Sequence, residues 1–202
     1  MTPRQIERFF HILSRELDEP VTVILTGAAA GALWGYVRPS LDIDFAIIPR
    51  RATRTNWPKI EQAIERTSRL TGISVNYAED IDRWSSVSLM DYQRHKRLYR
   101  RFGTLELCLM DPRYWSIGKV SRYLDPDVKD LVEVLTRQRV PATRLIRLWA
   151  KALRHSPRSP SLTQFRVQAE HFLRTYGRTI WGKTFDVEQT IRQFERAFRP
   201  TR

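Results

Sequence analysis

The chain is 202 residues long, with a formal net charge of +13, 42% hydrophobic and 28% charged residues, and one cysteine. A lone cysteine excludes an intramolecular disulfide and a thiolate metal site within the chain; the charged content does not suggest a disordered chain, and the apolar content gives one domain, or one with a small appendage, enough material for a core. No apolar run approaches bilayer-spanning length and no basic segment leads into an apolar one at the N-terminus, so a cytoplasmic protein without membrane association is expected, and the positive field favours nucleic acid, anionic nucleotides or acidic protein surfaces as partners.

Thr2-Pro3-Arg4-Gln5 reads as a capping box with proline in the first turn. Ile6, Phe9, Phe10, Leu13 and Leu17 follow at helical spacing. Glu19-Pro20 closes that helix, and Val21 to Leu25 reads as a short strand. Gly27 stands where the strand hands over to a helix, and the small residues Ala28 to Ala32 allow close backbone approach. Leu41 to Ile48 is the next strand. A second long helix starts at Asn56-Trp57-Pro58 and stops at Gly72, and Ile73 to Tyr77 is strand-like.

Residues 79–101 give no clear element, but they carry the basic run Arg94-His95-Lys96-Arg97 and Arg100-Arg101. Thr104 to Met110 is a clearer strand. Asp111-Pro112 and Asp125-Pro126 each read as a cap followed by a proline that opens a helix. Beyond Arg139 only helical periodicity remains, over Pro141–Arg154, Leu162–Tyr176 and Val187–Phe198, with a turn-forming Ser156-Pro157-Arg158-Ser159-Pro160 between the first two. The expected fold is α/β (α+β): a short mixed sheet flanked by helices over 1–139, and a helical C-terminal part over 140–202.

The chemistry concentrates in Leu41-Asp42-Ile43-Asp44-Phe45. Residues two apart on a strand share a face, so Asp42 and Asp44 point together, away from Ile43 and Phe45. Two carboxylates on one face repel unless a cation neutralises them, and Mg²⁺ suits oxygen ligands while keeping positions open for phosphate. The plainer alternative is a pair of exposed acids on an edge strand, matched by some of the many arginines. Gly27 and Ala28 just upstream offer backbone N–H groups to a phosphate, and Arg38 and Ser40 could add donors. Phosphates beside a metal-binding carboxylate pair describe nucleotidyl or phosphoryl transfer.

The pattern Leu25-Thr26-Gly27, a dozen residues, then Arg38-Pro39-Ser40-Leu41-Asp42-Ile43-Asp44-Phe45 resembles the polymerase-beta-type nucleotidyltransferase superfamily. Within it, the chain is most similar to the small bacterial enzymes of the AbiEii toxin type and their minimal relatives. The resemblance implies an Mg²⁺-dependent enzyme that moves a nucleoside monophosphate from an NTP to a hydroxyl on tRNA or protein, as the toxin of a pair with a protein antitoxin. It implies that Gly27 holds the triphosphate, that Asp42 and Asp44 bind Mg²⁺, and that a third carboxylate on a neighbouring strand completes the site.

Glu106, between leucines on the later strand, is the candidate for that third acid; its alternative is an exposed acid bonded to Arg100 or Arg101. Asn76 occupies the corresponding position on the earlier strand and cannot do a carboxylate's work. Trp115-Ser116-Ile117-Gly118-Lys119 and Val128-Lys129-Asp130 resemble a lysine motif and a following aspartate, which points to Lys119 for phosphate and Asp130 for the active site. Ala28 departs from the Gly or Ser usual after the motif glycine. That departure, with the doubtful third acid, keeps open a catalytically weak or inactive relative that binds RNA or a protein partner.

Overall fold

A computed structural model describes residues 1–36, 38–50 and 56–198; Arg51 and Arg54, part of the basic content, lie outside them. Among the described residues there are eight α-helices and a five-stranded mixed sheet, and no helix is long and apolar enough to cross a membrane. The chain forms two compact units, 1–81 with 93–110, and 82–92 with 111–202. The sequence reading places its boundary near Arg139. The units divide instead at Met110, so the two helices that follow the last strand belong with the C-terminal ones.

The first unit holds α1 (Pro3–Glu16), β1 (Val21–Leu25), α2 (Gly27–Leu33), β2 (Asp42–Pro49), α3 (Trp57–Thr71), β3 (Ser74–Ala78), β4 (Lys96–Phe102) and β5 (Leu105–Met110). The capping box of α1 forms as expected: Gln5 N–H donates to Thr2 Oγ1 at 3.3 Å and Thr2 N–H to Gln5 Oε1 at 2.8 Å. Its buried stripe, Ile6, Phe9, Phe10 and Leu13, meets the sheet where Phe10 packs edge-on against Phe45, ring centroids 5.5 Å apart.

The sheet runs β3-β2-β1-β5-β4. β1 is fully buried and central, antiparallel to β2 and parallel to β5, while β3 lies parallel to β2. β4 pairs with β5 through a tight turn at Gly103, whose φ of +54° suits glycine. β4 is the element that the basic stretch conceals. Six of its seven residues are exposed, so it lacks the apolar alternation by which strands are recognised.

The second unit holds α4 (Pro112–Arg122), α5 (Asp125–Arg137), α6 (Ala142–His155), α7 (Pro160–Trp181) and α8 (Val187–Phe198). Asp111 caps α4, accepting from Arg113 N–H at 2.9 Å. Asp125 does not repeat the device: Leu124 is the N-cap of α5 and Asp125 already lies in its first turn, where its charge still opposes the helix dipole. The core centres on Trp149, set edge-on to Phe165, Phe172 and Phe194, with its indole N–H donating to Ser116 Oγ at 2.9 Å.

Beside it lies a buried ionic cluster. Lys119 donates to Asp127 Oδ1 at 2.9 Å and Asp130 Oδ2 at 2.6 Å, Arg122 donates to Asp127 at 2.7 Å, and the Lys119 ammonium sits 5.3 Å from the Trp115 ring centroid. Lys119, Asp127 and Asp130 are each 2% exposed. Two cations face two carboxylates, so each buried charge has its opposite.

Burial pushes the Asp127 carboxyl up, but the Arg122 and Lys119 contacts outweigh it and hold it below its ordinary value of 3.8. A depressed carboxyl contributes stability that is complete above the unfolded value and is lost as pH falls through the lower folded one. Urea unfolding should therefore show wild type losing stability below about pH 4, with a shallower acid loss in Asp127→Asn. Lys119→Met, which takes the ammonium away from two buried carboxylates, should lose about 3–5 kcal/mol at pH 7. Matching acid profiles in wild type and Asp127→Asn would contradict this account.

Candidate functional site

Asp42 and Asp44 leave β2 on one face, as their spacing requires. The amide Nδ2 of Asn76, on β3, donates to both, at 2.8 Å to Asp42 Oδ2 and 2.9 Å to Asp44 Oδ1. Asn76 can do this because the parallel register sets it opposite Asp44. Ser40 Oγ donates to Asp42 Oδ1 at 3.2 Å, so a residue expected to offer a phosphate donor instead steadies the first aspartate. Both aspartates are half-buried and Asn76 is exposed.

Gly27 closes the site from the next strand. Its φ is +61°, and a Cβ built there would stand 2.0 Å from Asp44 Oδ2 and 2.9 Å from Asp44 Cγ. Only a residue without a side chain lets the carboxylate lie against the backbone. Thr26 N–H, donating to Asp44 C=O at 2.9 Å, extends the β1–β2 pairing to this point and fixes the approach. Ala28 is buried behind the turn. Arg38 directs Nη1 to the Pro39 carbonyl at 3.0 Å.

Glu106 is not brought to this cluster. The register aligns Glu106 with Thr22 of β1 and Ile48 of β2, on the aspartates' face of the sheet but four residues along β2 from Asp44. At about 3.3 Å per residue that is roughly 13 Å, too far to share an ion. Glu106 is held by Arg101 at 3.1 Å and Arg50 at 3.4 Å, the arginine-bonded alternative that its sequence position allowed. Lys119 and Asp130 lie in the second unit, committed to each other inside its core rather than presented as a mobile charge for phosphate.

Among the described residues no cluster of three His, Cys, Asp or Glu side chains is placed to hold a metal. The oxygen set here is two carboxylates, the Asn76 amide and the Ser40 hydroxyl. It fits Mg²⁺ in the usual manner of that ion, which takes one or two carboxylates and completes its shell with water and substrate phosphate. Compared with known proteins, the chain matches no family model, no curated protein and no solved structure.

The residue that sequence reasoning undervalued is Asn76. Its signal was its position on the strand after the aspartates, at a polar point facing the same way.

Gly27→Ala should lower stability by about 1–2 kcal/mol through the left-handed backbone alone, and by more because Asp44 must move. Urea unfolding measures this; unchanged stability would mean that the contact with Asp44 is looser than described.

Proposed function

We propose that the first unit is a nucleotidyltransferase-like domain in which Asp42 and Asp44 hold Mg²⁺ together with the phosphates of a nucleoside triphosphate. The observation that carries this reading is the convergence of both carboxylates and one amide on a single point against a bare glycine. In the transfer, an acceptor hydroxyl oxygen bonds to the α-phosphorus, the bond to pyrophosphate breaks, and the hydroxyl proton passes to solvent water. The bound ion supplies charge neutralisation for the phosphates. Asp42, steadied by Ser40, and Asp44, packed on Gly27, fix where that charge sits without rearrangement. Asn76, whose Nδ2 donates to both aspartates, would join the ligands through its Oδ1, since only the oxygen is a ligand.

A tRNA or other RNA, or a protein, is the acceptor class that the positive charge supports, and an antitoxin-type protein partner belongs to the same reading. Asn76 also favours a second one. Standing where a third acid would have to reach the pair, an amide is a ligand but not a base, and losing a positioned base costs typically 10²–10⁴ in rate. Nucleotide would then be bound and transferred slowly, the protein acting through an RNA or protein partner.

Fluorescent NTP binding with and without Mg²⁺, alongside transfer of α-³²P-labelled NTP to tRNA and protein, tests both. Mg²⁺-dependent binding is expected in wild type and is expected to vanish in Asp42→Asn and Asp44→Asn. Asn76→Asp should raise transfer at least tenfold if the missing base limits it. Binding without transfer in either background selects the second reading, and nucleotide binding indifferent to Mg²⁺ and to both aspartates overturns the proposal.

A further inference from the structure

The cations of the first unit's sheet edge are largely paired internally: Arg100 with Glu7, Arg101 and Arg50 with Glu106. In the second unit Arg137 pairs with Glu133, Arg166 with Glu170 and Glu195, and Arg174 with Glu188. Helix α6 differs. Its sequence, ATRLIRLWAKALRH, has no acidic residue. Among the described residues Arg144, Arg147 and Lys151 enter no ion pair. Arg144 and Arg147 are exposed and Lys151 half-exposed; exposed Arg154 bonds only the Ala197 carbonyl, and exposed Arg158 follows the helix.

The spacing makes these charges a stripe. At 100° per residue Arg144, Arg147, Lys151 and Arg154 fall within an arc of about 80°, and from 144 to 154 the stripe runs about 15 Å. The rest of the helix is core, with Leu145, Ile146, Trp149, Ala150 and Leu153 buried. Uncompensated cations cost self-repulsion, and a row of them with no acid on the same helix matches a repeating anion.

We propose that this face of α6 docks the phosphate backbone of double-stranded RNA. The stripe holds only Arg and Lys, and side chains cannot read base edges in the deep, narrow major groove of an RNA duplex, so contact is to backbone and independent of sequence. The choice of duplex follows from what each groove exposes. A B-form major groove, about 12 Å wide, opens base edges to arginine and is read by helices that add Asn or Gln for adenine, residues this row lacks. An A-form major groove is deep and narrow. Its two phosphate walls come within reach of one row of long side chains lying across the opening. The proposal does not depend on the aspartate pair.

The test is fluorescence anisotropy of the full chain with a fluorescein-labelled RNA duplex of about 20 base pairs, titrated across salt concentrations. R144A/R147A/K151A should weaken binding at least tenfold at about 0.1 M salt and reduce the slope of log K against log salt by about two to three. R4A/R8A/R15A, which removes the same charge from exposed positions of α1, should change it less than threefold. R144K/R147K, which keeps the charge, should retain binding, with circular dichroism confirming the fold of each variant. Equal losses in the two alanine triples would reduce the effect to net charge and overturn the proposal. So would equal affinity for a DNA duplex of the same sequence, loss of binding in the lysine variant, or competition by polyglutamate as strong as by RNA, which would point to an acidic protein instead.

Discussion

Asp44 lies against the bare Cα of Gly27, and the geometry of the candidate site follows from that contact. A side chain at residue 27 would occupy the place of the carboxylate oxygen, so the positive φ and the absence of a Cβ act together. The glycine lets β1 turn into α2 immediately beside β2. The Thr26–Asp44 backbone bond then fixes the height at which β2 passes. Once Asp44 is set, strand alternation sets Asp42, and parallel pairing with β3 brings Asn76 between them. Three polar side chains thus meet because of one backbone requirement and two pairing registers.

What the sequence made legible was local. The capping box at Thr2, the strand at Val21–Leu25, the αL stop at Gly72 and the shared face of Asp42 and Asp44 each depend on residues within a few positions of one another, and each is present. What escaped it depends on distant partners. Glu106 has a suitable residue type on a suitable strand and face, but strand register, which no local pattern encodes, displaces it along the sheet and hands it to Arg50 and Arg101. Lys119 read as a charge for phosphate; its burial depends on Asp127 and Asp130 closing over it from the next helix. β4 was hidden because an edge strand exposed to solvent need not alternate.

The two compact units use charge in opposite ways. In the first, Asp42 and Asp44 gather around the Asn76 amide, and arginines of the same unit pair with Glu7 and Glu106 instead. In the second, Lys119 is neutralised inside the core, where an unpaired charge would be costly, while α6 carries its cations outward. The high positive charge is therefore not a uniform coat. Part of it is internally compensated, and among the described residues Arg144, Arg147 and Lys151 stand in a row without an ion pair on a helix that carries no acid.

The central claim is that Asp42 and Asp44 share a divalent ion beside Gly27. Anomalous scattering at the manganese edge, from crystals grown with Mn²⁺ and a non-hydrolysable NTP analogue, tests it most directly. The account predicts a peak within coordination distance of both carboxylates, with nucleotide phosphate as a further ligand and the Asn76 amide turned to present its oxygen. A peak at another site, or nucleotide bound with Asn76 still donating to both aspartates and no ion between them, would contradict it.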